Sequence, residues 1–279
     1  MDIASAIGRS RDDRDVADPA RFAALHATLG FDGPGPRAGD PLPPLGHFLM
    51  FWPATARDGL GEDGHERLGD FLPDFGRTRR MWAGSRIAFV GHARIGETAA
   101  RKTTVAAIEA KRTRAGPAHF VTLRHEISFA GRPAIVDEQD LVHLALPAGP
   151  PEPVVRKGEA APEAAEAQWT LETDAPLLFR YSALTFNTHR IHYDADHCRL
   201  AEGYLGPVVH GPLIATLLSW LALALGGGGR PPRRFSYRAM APSFCGETLA
   251  FCADRRDGGA DAFLRLPDGG LGARGRMEF

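Results

Sequence analysis

The stretch Val208-Val-His-Gly-Pro-Leu-Ile-Ala-Thr-Leu-Leu-Ser-Trp-Leu-Ala-Leu-Ala-Leu225, closed by the glycine run Gly226 to Gly229, decides how the rest of the chain is read. Proline is at ease at a first helical position, where its missing N–H would have had no partner, and glycine ends a helix without steric cost. Gly211-Pro212 to Leu225 is therefore expected to be a helix. It is apolar nearly all round, which marks it as buried. The run Leu213 to Leu225 is interrupted by Thr216, Ser219 and Trp220 and is well short of the roughly 20 residues that cross a bilayer.

Working outward, four strand-like segments follow the helix: Phe235 to Ala241, Thr248 to Asp254, Ala262 to Leu266 and Leu271 to Phe279. Pro242/Gly246, Gly258/Gly259 and Gly269/Gly270 separate them. Ahead of the helix lie a short strand at Trp169 to Leu171, an extended Leu177 to Leu184, and a polar stretch rich in His and Asp. A long helix wrapped by antiparallel strands is the hot-dog plan, of the α+β class.

The first half repeats that order less cleanly. Asp12 to Leu29 spaces Val16, Phe22, Leu25 and Leu29 at helix-like intervals, and Asp18 is placed to cap a second helical stretch starting at Pro19. Pro34 to Pro53 is too rich in proline and glycine for regular helix, leaving Leu45 to Trp52 a short extended or turn segment. Ile87 to Val90, Thr103 to Lys111, His119 to Phe129 and Ala134 to Leu146 read as strands joined by turns near Gly96, Gly116 and Gly131. Ala148 to Gln168, rich in Pro, Glu and Ala, reads as a linker. The expected organisation is a first unit over 1–147, a linker over 148–168 and a second unit over 169–279.

Composition excludes several classes. With 279 residues, 44% of them hydrophobic, the chain can bury a proper core. A formal charge of −1 and the lack of a dense Lys/Arg run argue against a nucleic-acid partner. Cys198, Cys245 and Cys252 form no C-x-x-C pair, against both a disulfide framework and a thiolate zinc site. The opening Met-Asp-Ile-Ala-Ser-Ala-Ile-Gly-Arg lacks the pattern of a signal peptide. A cytoplasmic protein, with no membrane partner, is expected.

Catalytic residue types concentrate in Ser182-Ala-Leu-Thr-Phe-Asn-Thr-His-Arg-Ile-His-Tyr-Asp-Ala-Asp-His197 and in Gly206-Pro-Val-Val-His-Gly-Pro-Leu-Ile-Ala-Thr216. Phe179 to Asp194 followed by Val208 to Leu213 resembles the signature of the MaoC-like hydratase/dehydratase family. The resemblance is strongest to its branch of mesaconyl-C4-CoA hydratases, itaconyl-CoA hydratases and 3-hydroxyacyl-thioester dehydratases. In the first half, Arg79-Arg-Met-Trp-Ala-Gly84, Val121-Thr-Leu-Arg-His-Glu126 and Glu138-Gln-Asp140 resemble the FAS1-like dehydratase unit of that branch, and the likeness covers nearly all of the chain beyond Gly46.

The resemblance implies a double hot-dog, in which the first unit lacks the catalytic signature and shapes the acyl pocket. It also implies reversible hydration of an enoyl thioester of the mesaconyl-C4-CoA or itaconyl-CoA type to citramalyl-CoA, or dehydration of a 3-hydroxyacyl thioester. Coenzyme A belongs to the substrate, no further cofactor or metal is called for, and a homodimer is expected. Such chemistry needs a base for the water that attacks C3, an acid to protonate C2 and a donor for the enolate-like oxygen. Imidazole titrates near neutrality and can serve both proton steps, which points to His192. Asn187, five residues earlier, stands where the broader family carries aspartate. An amide can orient water but cannot be a second base. Gly211, at a helix N-terminus with free N–H groups, is the candidate oxyanion donor, with Leu213 as the other free N–H.

His189, Arg190, Tyr193, His210, Arg79 and Trp82 are the candidate substrate-binding residues. Each also has a plainer reading: His189 and His210 as structural hydrogen-bonders, and Arg79, Arg80 and Arg86 as ordinary surface features or as partners of a CoA phosphate or distal acyl carboxylate. Asp194 either assists catalysis or caps a helix over Ala195 to Glu202. His189, His192, Asp194 and His197 match no metal template well. Gly226 to Gly229 reads as a helix exit, not a phosphate loop. A hot-dog thioesterase and a non-catalytic acyl-thioester binder are the alternatives.

Overall fold

The computed structural model describes residues 3–156 and 158–279. Met1 and Asp2, part of the stretch read for a signal peptide, and Lys157 in the linker lie outside them.

The first half contributes the strands Ser10–Val16 (β1), Thr78–Phe89 (β2), Thr98–Thr113 (β3), Gly116–Phe129 (β4) and Arg132–Ala145 (β5). The second half contributes Ala167–Glu172 (β6), Arg234–Ala239 (β7), Thr248–Arg256 (β8), Gly259–Arg265 (β9) and Leu271–Glu278 (β10). They form one sheet in the order β1-β3-β4-β5-β2-β7-β10-β9-β8-β6. The second five strands thus repeat the first five in mirrored order, and the halves meet at the antiparallel seam β2–β7, where Gly84 faces Arg238 and Ala88 faces Arg234. The duplication inferred from element order is present in the topology.

Three helices accompany the sheet: Pro19–Thr28 (α1), Ala175–Thr185 (α2) and Gly211–Gly226 (α3). α3 packs on β8, β9 and β10, and its Leu213, Leu217 and Leu218 are buried with Phe235, Phe251 and Leu264. It starts and stops where Pro212 and the glycine run place it. α1 and α2 follow the first strand of their halves and touch each other. Among the described residues the first half has no counterpart of α3; between α1 and β2 it has only short turns at Gly46–Leu49 and Arg57–Gly59. Leu72, with Leu68, Phe71 and Phe75, instead covers Val105, Val121, Leu123 and Leu141 of the first-half sheet. A thin cover in place of a helix leaves room for cavities between the halves. No described helix is long and apolar enough to cross a membrane.

Three local expectations are corrected. Asp12 to Val16 belongs to the edge strand β1 instead of a helix, because it pairs along β3 and its half-buried face is held by ion pairs, Asp13 with Arg101 and Arg11 with Glu66. Only the stretch capped by Asp18, whose carboxylate accepts from the Ala20 N–H, is helical. Leu177 to Leu184 is the helix α2, nucleated by the Asp174 carboxylate on the Leu177 N–H and by Pro176 in the first turn. β2 begins at Thr78, nine residues before the expected Ile87, because its register on β5 runs from Thr78 opposite Ala145.

Candidate active site

α2 ends at Phe186, whose left-handed backbone (φ 49°) turns the chain, and its ring stacks on Trp52 at 5.4 Å. The Asn187 side-chain carbonyl then accepts from the His189 N–H at 3.0 Å, which leaves the amide NH2 free for other partners. This turn grips a loop of the first half. The Arg190 N–H donates to the Asp63 carbonyl at 2.8 Å, the Thr188 hydroxyl donates to the Gly64 carbonyl, and the Arg190 guanidinium reaches the Glu62 carbonyl at 3.1 Å. Gly64 is required there: its φ is +88°, and a Cβ would lie 1.9 Å from the Thr188 oxygen.

The docked loop carries His65, whose Nδ1 is 3.2 Å from the Asp63 carboxylate. The His65 ring lies 4.2 Å from that of His189, which is 5.5 Å from that of His192. Asp63 is held down to about 2, with burial opposing and the bond and charge of His65 outweighing it. His65 is lowered by burial and by Arg80, with Asp63 opposing.

His192 is buried, with 7% of its surface exposed. Its Nδ1 lies 2.7 Å from the Val208 carbonyl, which can only accept, so Nδ1 carries the proton and Nε2 keeps its lone pair. Burial lowers its pKa to about 4, against the opposing carbonyl bond. His192 is thus a neutral base at physiological pH. His210 stacks on it, donating or accepting at Ser182 Oγ through Nε2 at 2.8 Å.

Two cavities adjoin this cluster. A cleft of about 840 Å³ is lined by Asp63, Glu66, Arg80, Arg190, His197 and Glu202. A smaller cavity of about 260 Å³ is lined by His47, His65, Arg80, Gln139, Asn187 and Pro212.

The structure sorts the candidates read from sequence. Asn187 is on the wall of the smaller cavity, and Pro212, beside Gly211, is too. His192 is not among the residues that line either cavity. Gly211 is pressed against Trp82, whose Cε3 would lie 2.9 Å from a Cβ there. Trp82 stacks on Tyr237 and is not among the residues that line either cavity. His189 is buried with its Nε2 unbonded, 3.6 Å from Glu202. His210, fully buried, is held by Ser182 and serves as packing for His192.

Arg190 lines the larger cleft while its guanidinium pairs with Asp194 at 2.7 Å. Asp194 also accepts from the His197 N–H, a capping role over the π-helical turn His197–Glu202. Tyr193 is exposed and donates to the Thr188 carbonyl. Arg79 is not brought to either cavity: its guanidinium is bound to the Glu202 carbonyl and lies over Tyr204. Arg86 bonds Asp140 across the strands. With Asp194 so engaged, the His189/His192/Asp194/His197 grouping does not assemble; the compact set is Asp63, His65 and His189, with ligand atoms within 4.8 Å of one another.

Sequence reasoning passed over Asp63, His65 and Glu202. An Asp-Gly-His turn was visible, but in a Gly- and Pro-rich stretch it carried no sign that it docks on a motif more than a hundred residues away. Glu202 is pushed up to about 7, burial being the main cause.

The family described as hydroxyacyl-thioester dehydratase type 2 matches residues 45–245. The chain is 39% identical, over 98% of its length and 96% of the relative's, to mesaconyl-C(4)-CoA hydratase of Chloroflexus aurantiacus. It is 26% identical to the mitochondrial hydroxyacyl-thioester dehydratase type 2 of Schizosaccharomyces pombe, over 76% of this chain and 77% of that one. A Mycobacterium tuberculosis protein described as having a double hotdog fold superposes with a TM-score of 0.57 at 16% identity, covering 97% of this chain and 95% of its own. The architecture is the double hot-dog expected from the sequence.

Proposed function

From the premise that this chain belongs to the hydroxyacyl-thioester dehydratase type 2 family, we propose that it is a hydro-lyase that adds water reversibly across the C2–C3 bond of an enoyl-CoA. The acyl group is of the mesaconyl-C4 type and the product citramalyl-CoA. The observation that carries the reading is the state of His192: a neutral imidazole whose Nδ1–H is committed to the carbonyl of Val208, in the segment that leads into α3, and whose Nε2 is basic.

In the hydration direction the water oxygen bonds C3 while its proton passes to His192 Nε2. The C2=C3 electron pair shifts toward the thioester oxygen, which the free N–H groups at the start of α3, of Gly211 or Leu213, stabilise. The imidazolium of His192 then returns the proton to C2. The Asn187 NH2, on the cavity wall, orients the water without taking its proton. No electrons are exchanged, so the chemistry calls for no cofactor beyond the coenzyme A of the substrate. A homodimer formed through free sheet edges belongs to the same reading and is measured by light scattering.

The test is incubation of the purified protein with mesaconyl-C4-CoA, itaconyl-CoA and crotonyl-CoA, following enoyl absorbance and product mass, with His192→Ala alongside. Gain of one water, lost in the variant, is expected. Release of free CoA would identify a thioesterase instead, and binding without turnover, unaffected by the substitution, a non-catalytic thioester-binding protein.

A further inference from the structure

Arg80 lies at the junction of the two cavities and lines both. The other guanidinium groups on those walls are engaged: Arg11 pairs with Glu66 at 2.8 Å, Arg101 with Asp13 at 2.7 Å and Arg190 with Asp194 at 2.7 Å. Arg67 and Arg77 donate to backbone carbonyls. Among the described residues the Arg80 guanidinium alone on these walls makes no hydrogen bond and no ion pair. Burial lowers its pKa, and the more distant charges of Asp63 and Glu66 oppose that only in part. The side chain is half-buried and opens on both cavities, so its unpaired donors are available to an anion brought by a ligand.

The position of this charge matters as much as its freedom. Arg80 acts electrostatically on His65 and His189, and the ring of His189 is 5.5 Å from that of His192. An anion bound to Arg80 therefore sits within the field of His65 and His189, on the cavity whose wall includes Asn187. A planar guanidinium binds a carboxylate through two parallel hydrogen bonds and so fixes orientation as well as charge.

We infer that Arg80 anchors a carboxylate carried on C3 of the acyl group, which places the carbon that water attacks beside Asn187 and makes the enzyme selective for dicarboxylic enoyl thioesters. The inference rests on the hydratase reading and deepens it by naming the residue that selects the acyl group. A cavity of about 260 Å³ suits a short branched acyl group held at both ends. Holding C3 by its own substituent is more restrictive than holding a chain by apolar contact, because a misplaced carboxylate leaves a buried charge unpaired.

The experiment compares mesaconyl-C4-CoA with crotonyl-CoA, which keeps the coenzyme A, the 2-enoyl unit and the methyl group but lacks the C3 carboxylate. Both are assayed with wild type, Arg80→Met and Arg80→Lys, and binding of each thioester is followed by calorimetry in parallel. Wild type is expected to prefer mesaconyl-C4-CoA. Arg80→Met should lose about 100-fold in kcat/KM and in affinity for it while handling crotonyl-CoA within about threefold of wild type. Arg80→Lys, which keeps the charge but not the fork, should recover part of the loss.

Equal losses with both thioesters would overturn the inference and assign the anion to a CoA phosphate. An unchanged Arg80→Met, or a wild type that prefers crotonyl-CoA, would overturn it as well. If wild type turns over neither thioester, the hydratase reading fails. Calorimetry still decides the anchor, since mesaconyl-C4-CoA must then bind wild type and not Arg80→Met. Circular dichroism of the variants separates loss of the anchor from loss of the fold.

Discussion

The imidazoles of His192 and His210 lie face to face, 3.6 Å between ring centroids and 18° from parallel. Each is fixed from its far side, His192 by the Val208 carbonyl and His210 by Ser182 Oγ. Burial lowers the proton affinity of both rings, and the charge of His192 adds to it at His210. The pair holds the base in one orientation and one tautomer.

Removing the Ser182 hydroxyl should loosen that hold. Ser182→Ala strips His210 of its side-chain hydrogen bond, and His210 Nδ1 is already without a partner. A loss of about 1–3 kcal/mol in stability is expected from leaving a buried ring unsatisfied. kcat should fall more than KM rises, because the substrate is not what Ser182 contacts. Urea unfolding and steady-state kinetics check both, and an unaltered kcat in a destabilised variant would separate His210 from catalysis.

The low pKa of His192 sets the pH dependence. Its value in the folded chain, about 4, is below the ordinary 6.5. Between those values the unfolded chain binds a proton that the folded chain refuses, so folding is favoured as pH rises. The stabilisation is complete above pH 6.5 and is lost as pH falls through 4, with a size of about 3 kcal/mol for such a shift. His125, at about 4, and His143, at about 3, act in the same direction. kcat should stay level from neutrality to about pH 5 while the melting temperature drops. A kcat profile with a midpoint near 6.5 would show that His192 is solvated and ordinary.

Glu202 works with the opposite sign. Burial, with Asp63 adding to it, raises its carboxyl from 4.5 to about 7, against the pull of Arg79 and Arg77. The folded chain therefore keeps a proton that the unfolded chain releases, and the contribution of this group to stability is greatest below pH 4.5 and lost as pH rises through 7. Glu202→Gln should melt higher than wild type at pH 8 and no higher at pH 5. Equal shifts at the two pH values would contradict a carboxyl that titrates near neutrality.

Gly64 couples the halves. In Gly64→Ala the new methyl group would meet the Thr188 carbonyl at 1.9 Å, on a backbone with φ of +88°. The turn carrying Asp63 and His65 must then move off the 188–190 segment. The expected result is a loss of at least about 1–3 kcal/mol and a fall in kcat/KM of more than about tenfold. Thermal melting and kinetics read this directly, and a variant with wild-type activity would mean that the docked turn is dispensable.

Much of the fold was readable because its signals are local. Pro212 and the glycine run bracket α3, and the alternation of strands with Gly turns marks β3, β4, β5 and the last four strands. The errors were local too. β1 is a run of Arg and Asp with almost no apolar residue to mark a strand, and its neighbour α1 supplied the helical spacing that spread into it. The apolar run of α2 reads as extended, although Asp174 and Pro176 announce a helix start.

The site was legible to the extent that it lies in one continuous motif. Asn187, His189 and His192 are neighbours in sequence, and spacing alone brought them together as candidates. What the chain order could not convey is which way each side chain faces across the sheet. Arg79 and Arg80 are adjacent on β2, yet one is bound to Glu202 and the other opens on both cavities, because successive side chains of a strand point to opposite faces.

By itself, then, the sequence determined the elements, their duplicated order and the motif that carries His192, since periodicity, proline and glycine act over a few residues. The tertiary structure decided the tautomer of His192, the docking of Asp63 and His65 against His189, the absence of a first-half counterpart to α3 among the described residues, and the free guanidinium of Arg80. Those features depend on contacts between segments such as Gly64 and Thr188, 124 positions apart, whose energies come from packing and hydrogen bonds that exist only once both halves of the sheet are assembled.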